Sequence, residues 1–156
     1  MGMQTDCIYG FGFRVFASDK ALADFIKNHE ATVQSLEGGT DILDYVNDCI
    51  SNNKPLDSIK EMFYDYENNF TGDSGLYGII ADVMHKETAI RFEYRRTPDV
   101  DCCEDDAIIL PIAMPWQFNE TEQKLTEESL EKICKKYMSE LDERLVFDSI
   151  RLEYFG

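Results

Sequence analysis

Cys7-Ile8-Tyr9-Gly10-Phe11-Gly12-Phe13-Arg14-Val15-Phe16 carries its apolar residues at every second position. Cys7, Tyr9, Phe11, Phe13 and Val15 therefore share one face of an extended chain, the pattern of a β-strand. Gly10 and Gly12 leave the other face without side chains, so another backbone or a helix can approach closely there. A strand needs neighbours, and the elements that follow decide what kind of sheet it joins. Ser18 reads as an N-cap, with Leu22, Phe25, Ile26 and His29 on one helical stripe. Gly38 and Gly39 break the chain, Thr40 caps, and Ile42, Leu43, Val46, Cys49 and Ile50 form a second amphipathic helix. A third begins near Pro55, a favourable first-turn residue, with Leu56, Ile59, Phe63 and Tyr66 turned inward.

Segment 74–87 fits two patterns. Leu76, Ile79, Ile80, Val83 and Met84 suit a helix capped by Asp73 or Ser74, and the same residues suit a strand turning at His85–Glu87. The helix is the favoured choice. Ile90, Phe92 and Tyr94 then alternate with Arg91, Glu93 and Arg95, a strand with one wet face. Ala107 to Ala113 is a nearly continuous apolar run suited to a strand buried on both sides, with Pro111 pushing its far end toward an edge or bulge. Thr126 caps a helix running to about Asp142, and Leu125 and Leu130 are placed as a hydrophobic staple. Its stripe is Leu130, Ile133, Cys134, Tyr137 and Leu141, and its surface pairs are Glu128–Lys132 and Glu131–Lys135. A last strand holds Ile150, Leu152 and Tyr154. The expected fold is α+β in a single domain, 1–156: a small, mainly antiparallel sheet of about four strands with four to five helices packed on one face. Phe11, Phe13, Leu22, Ile26, Ile80, Phe92, Ile109, Ile133, Tyr137 and Leu152 are expected to share one core.

Composition narrows the function classes. There are 31 Asp and Glu against 15 Lys and Arg, a formal charge of −16. Such a chain repels nucleic acid and anionic membranes and attracts basic proteins at long range. Ten Phe and eight Tyr supply enough apolar surface for a core, which argues against disorder. No stretch approaches the roughly 18 continuous apolar residues of a membrane span. The opening MGMQTDC carries no signal-peptide pattern, so the expectation is a cytoplasmic protein. The five cysteines are irregularly spaced, and Cys7, Cys49 and Cys134 fall in apolar-periodic segments, where a free thiol behaves as a small hydrophobe.

The catalytic and metal signatures fail on their own terms. Gly72-Asp73-Ser74-Gly75 spells the tetrapeptide around a serine-protease nucleophile, but a helix-capping turn explains it without a triad. Gly10 and Gly12 do not extend to a dinucleotide fingerprint, since Val15 holds the third glycine's place. Asp99 to Asp106 starts like a calcium loop, yet Glu104 replaces the required Gly and Leu110 the closing Glu. Cys102 and Cys103 are adjacent and form no CxxC, and only His29 and His85 are at hand to complete a zinc site. Neither histidine has a nucleophile or cofactor signature beside it, so each reads as a partly buried or capping residue. No metal and no cofactor is expected.

What remains is the placement of acid. Asp99, Asp101, Glu104, Asp105 and Asp106 put five negative charges into eight residues, in what reads as a loop between two strands. Asp41, Asp44 and Asp48 repeat at helical spacing along one edge, and Asp57, Glu61, Asp65 and Glu67 decorate the third helix region. Pro111 and Pro115 end the strand abruptly and hold Trp116, the chain's single Trp, in a connecting loop, where it either plugs the gap between sheet and last helix, the favoured role, or serves as a binding anchor. The leading expectation is a non-enzymatic binding protein that antagonises a basic, nucleic-acid-handling protein such as a nuclease, without touching nucleic acid or membrane itself. Asp99, Asp101, Glu104, Asp105, Asp106, Asp41, Asp44, Asp48 and Trp116 are its candidate binding residues. The alternatives are a small hydrolase using the 99–106 carboxylates with His85, and a regulatory or scaffold domain whose acidity serves solubility. In size and composition the chain is similar to toxin-immunity proteins and mobile-element inhibitors of host defence, with no shared motif.

Overall fold

The computed structural model describes residues 5–56, 76–97 and 105–155. Four strands form one antiparallel sheet in the order β2-β3-β1-β4: β1 Thr5–Arg14, β2 Glu93–Thr97, β3 Asp105–Pro111 and β4 Phe147–Phe155. Six helices accompany them among the described residues: α1 Asp19–Asn28, α2 Glu30–Ser35, α3 Gly39–Ser51, α4 Tyr77–Thr88, α5 Glu120–Gln123 and α6 Glu127–Leu141. The architecture is α+β, as the residue patterns require.

Register places the first strand at the centre. β1 pairs with β4 from Thr5↔Phe155 to Phe13↔Phe147, and with β3 from Gly10↔Pro111 to Arg14↔Ala107. Directly opposed residues of antiparallel strands share a face. Phe13, Ile108 and Phe147 thus lie on one face, and Phe13 and Ile108 are fully buried there with Phe25, Ile26, Ile80 and Tyr137 of the helices. The other face gathers Ala107, Ile109 and Ile150 into a second buried cluster. Ile109 therefore leaves the expected single core, Phe11 and Ile133 are only partly buried at its margin, and the side chain of Leu152 lies outside the described ones. The close approach at the glycines is to the neighbouring strand. A Cβ at Gly12 would overlap the Ile108 carbonyl oxygen, and one at Gly10 would stand 2.7 Å from that of Leu110.

Local chemistry explains most boundaries. The Ser18 hydroxyl accepts a hydrogen bond from the Ala21 amide at 3.1 Å and starts α1. Segment 77–88 is helical, and Ala89 closes it with φ of 62°. Thr126 and Ser129 cap α6 reciprocally: the Thr126 amide donates to Ser129 Oγ at 2.9 Å and the Ser129 amide to Thr126 Oγ1 at 3.1 Å. Glu128–Lys132 and Glu131–Lys135 pair at 3.7 and 3.4 Å.

Several expectations are corrected. The short helices α2 and α5 add to the expected set. The N-cap of α3 is Gly38, with φ of 74°, and Thr40 lies inside the first turn, because only glycine enters that left-handed turn without strain. Gly39 packs where a Cβ would overlap the Val33 carbonyl. Ile50 is 54% exposed instead of buried. Ile90 and Phe92 are buried ahead of β2, which begins at Glu93. Pro111 ends an inner strand, yet β2 pairs no further than Ile109, so at Pro111 only β1 is alongside. Asp73, Ser74, Ile59, Phe63 and Tyr66 lie outside the described residues. No helix among the described residues is long and apolar enough to cross a membrane.

Candidate functional site

Helix α3 divides its residues sharply. Ile42, Leu43, Val46 and Cys49 are buried against α1 and α2, while Asp41, Asp44 and Asp48 are exposed along the opposite edge. Asp48 lies 3.8 Å from Lys54 Nζ and accepts a hydrogen bond from Asn52 Nδ2 at 2.7 Å. Asp41 and Asp44 have no hydrogen-bond or ion-pair partner among the described residues. Like charges at helical spacing cost a few tenths of a kcal/mol per pair, roughly 0.2–0.5. Asp41 in the first turn and Asp48 beside the C-cap Asn52 each find a favourable setting in the helix, while Asp44 adds only this repulsion.

The last turn of α3 and the first turns of α1 frame a groove of about 570 Å³. Its making is local. The amides of Asn52, Asn53 and Lys54 bond back to the carbonyls of Asp48, Ile50 and Cys49, and Asn53 takes φ of 51°, a left-handed value that Asn tolerates. That reversal carries Pro55 and Leu56 alongside α1. Ala23, Cys49 and Leu56 are buried at the floor, Ile50 stands at the lip, and Asp19 and Asp24 supply acid at the rim beside Lys20 and Lys54. An apolar floor under carboxylates suits a lysine or arginine, whose aliphatic stem seeks cover while its charged head seeks an acceptor. Asp19, Asp24 and Ile50 were absent from the candidates named from sequence.

The acidic run divides. Asp99, Asp101 and Glu104, together with Asp57, Glu61, Asp65 and Glu67, lie outside the described residues. Asp105 and Asp106 are not loop residues: they open β3, opposite Thr97 and Arg96. Asp106 is half-buried and accepts the Tyr94 hydroxyl at 2.6 Å, and its carbonyl accepts the Val15 amide at 2.8 Å. The buried apolar run Ala107–Leu110 draws both acids into the ladder. Of the remaining candidates, Asp41, Asp44 and Asp48 share α3, and Trp116 lies in the connector that follows β3.

Trp116 does not plug a gap. It sits in a single 3-10 turn, Pro115–Gln117, with 77% of its surface exposed, and Ile112 and Met114 beside it in sequence are exposed too. The turn itself is firmly held. Arg91 donates from its backbone amide at 2.8 Å, from Nε at 3.0 Å and from a terminal nitrogen at 2.7 Å to the fully buried carboxylate of Glu122. The same guanidinium donates to the Gln117 carbonyl, and Asn119 Nδ2 reaches the Ala89 carbonyl at 2.9 Å. Burial pushes the Glu122 carboxyl up, but the Arg91 and Asn119 hydrogen bonds outweigh it and hold the group below the ordinary carboxylate range.

His85 is exposed on α4, beside a second groove of about 500 Å³ lined by Leu36, Glu37, Asp82, Lys86 and Ala89. Burial raises the Asp82 carboxyl to about 6. Among the described residues no group of three or more His, Cys, Asp and Glu side chains is placed to hold a metal ion. Cys49 and Cys134 are buried free thiols, and burial pushes Cys134 up to about 12, far from the thiolate that nucleophilic chemistry needs. The chain matches no protein family, no curated protein and no solved structure.

Proposed function

We propose that this is a non-enzymatic binding protein that antagonises a basic, nucleic-acid-handling partner, with the α1–α3 groove and the α3 edge as its contact region. The observation that carries the proposal is the acidic edge itself: Asp41, Asp44 and Asp48 stand exposed on a helix whose other side is core, and the carboxylates of two of them have no partner among the described residues. Exposed carboxylates act on a partner through long-range attraction, raising the encounter rate. The adjoining groove supplies what charge alone lacks, an apolar floor where a cationic side chain loses its water. A net charge of −16 favours a partner whose own surface is built to take phosphates. Trp116 and the acids of 99–106 would extend the contact.

The test is a comparison of wild type with the triple variant Asp41→Asn, Asp44→Asn, Asp48→Asn in pull-downs from the native host at low and moderate salt. A basic, nucleic-acid-binding protein retained by wild type and lost by the variant supports the proposal. A second variant, with Asp99, Asp101, Asp105 and Asp106 changed to Asn and Glu104 to Gln, separates the two acidic regions. Equal capture by all three proteins refutes electrostatic recognition through either.

A further inference from the structure

His29 is placed between two carboxylates at the joint of two helices. It is the C-cap of α1 and the residue from which α2 starts. Its Nδ1 lies 2.8 Å from Glu87 Oε2 on α4, and its Nε2 lies 2.9 Å from Glu140 Oε2 on α6. The side chains of His29, Glu87 and Glu140 are 12%, 24% and 25% exposed, so little water competes for these bonds. Glu87 accepts two more hydrogen bonds, from Thr32 Oγ1 of α2 at 2.7 Å and from the Tyr137 hydroxyl of α6 at 2.9 Å. The Phe25 ring lies 4.5 Å from the imidazole, centroid to centroid.

Hydrogen-bond chemistry fixes the protons. An ionised carboxylate only accepts, and a neutral imidazole has one N–H and one bare lone pair. A neutral His29 would therefore turn a lone pair toward one of the two carboxylates at hydrogen-bond distance. Thr32 and Tyr137 already donate to Glu87 and keep that group ionised, so the proton toward it belongs on the ring, and a second ring N–H faces Glu140. We infer that His29 is a doubly bonded imidazolium and that its proton clamps α1, α2, α4 and α6 together, so that raising the pH releases the clamp and loosens the helical layer.

The surrounding charges agree. Facing the ring are Glu87 from α4, Glu140 and Tyr137 from α6, and the uncharged Thr32 from α2. Lys136 lies over the outer side of Tyr137, 5.7 Å from its centroid, and Lys27 of α1 turns away to Asn47 and Glu30. Cys134, beneath Tyr137, is held neutral by burial. Burial lowers the His29 value, but the hydrogen bonds and charges of Glu140 and Glu87 outweigh it, leaving the net shift upward. A group raised in the folded state gives stability that is complete below its unfolded value, ~6.5 for histidine, and that is lost as pH rises through the folded value. Glu87 is lowered, so its own contribution is lost at the other end, as pH falls through its folded value.

The chain has only two histidines, which makes the experiment direct. Long-range ¹H–¹⁵N spectra recorded from acid to alkaline pH resolve both imidazoles, and Glu140→Gln assigns the clamp. The expected result is that His29 carries protons on both nitrogens at neutral pH and titrates above ~6.5. Its midpoint falls in Glu140→Gln, and the urea midpoint of wild type drops across the His29 titration while that of His29→Gln stays level there. Should His29→Gln fail to fold, the spectra of wild type and Glu140→Gln still decide. A single neutral tautomer at neutral pH, a His29 midpoint at or below ~6.5, or a midpoint unmoved by Glu140→Gln overturns the inference.

Discussion

Gly12→Ala separates what strand propensity predicts from what this sheet permits. Glycine in a strand interior is entropically costly, and by propensity alone alanine would add about 0.5–1 kcal/mol of stability. At Gly12 the geometry opposes it. A Cβ there overlaps the Ile108 carbonyl oxygen and stands 2.8 Å from Ile109 Cα and 2.9 Å from Ile108 C. All three are backbone atoms, so no rotamer change relieves the contact and β1 must move away from β3. Ile108 and Ile109 are fully buried, one on each face, so the displacement disturbs both clusters. Overpacking of this kind costs at least the upper end of the usual ~1–3 kcal/mol. With about 2–4 °C per kcal/mol for a chain of this size, 3 kcal/mol lowers Tm by roughly 6–12 °C. Gly10→Ala meets atoms at 2.7, 3.1 and 3.1 Å and is expected to cost less. Thermal melts and urea titrations of the three proteins measure the series, with an unchanged m-value as the sign that only stability has moved. A Gly12→Ala protein as stable as wild type, or a larger loss in Gly10→Ala, would refute the argument.

Core truncation ranks two sites that sequence periodicity alone treats alike. Phe13→Ala, at a fully buried position, is expected to lose about 3–5 kcal/mol in urea unfolding, and Ile133→Ala, at a half-buried margin, less than about 2. Equal losses would move the core boundary drawn here. Cys49 and Cys134 are buried free thiols, so melts with and without reductant, and with and without a strong chelator, are expected to superimpose. A fall of more than a few degrees under either treatment would assign a structural task to another cysteine.

Elements with a dense apolar period were legible, and short or side-chain-dependent features were not. α6 places several buried residues on one face, and the period of two in β1 is dense although Phe13 is buried, Phe11 half-buried and Tyr9 exposed, so both patterns are recognisable without tertiary context. α2 buries only Val33 in six residues, too little for any period to register. Asp105 and Asp106 looked like the end of a loop because charge is a surface signal, whereas β3 recruits them through the apolar residues that follow. The groove escaped notice since Asp24 and Ile50 meet only after α1 and α3 pack. The same holds for His29, whose partners lie 58 and 111 positions away in the chain. For Trp116 the sequence offers two roles and favours gap-filling, because a large aromatic in a connector more often fills a gap than anchors a partner. Only the Arg91–Glu122 pair, 31 positions apart, shows that the turn is held without it.

The central position of β1 carries a kinetic consequence. Its two neighbours are β3 and β4, and its pairing with β4 joins Thr5 to Phe155 and Phe13 to Phe147. Among the described residues both neighbours of β1 come from distant parts of the chain. During synthesis β1 therefore waits with one edge open until β3, Asp105–Pro111, is available and with the other open until β4, Phe147–Phe155, follows. Loops this long close slowly, which places the protein among the slower folders for its size. An unpaired, aromatic-rich strand is also an invitation to wrong partners. The surplus of acid then has a task during folding itself: nascent chains that repel one another are slow to aggregate through their waiting strands.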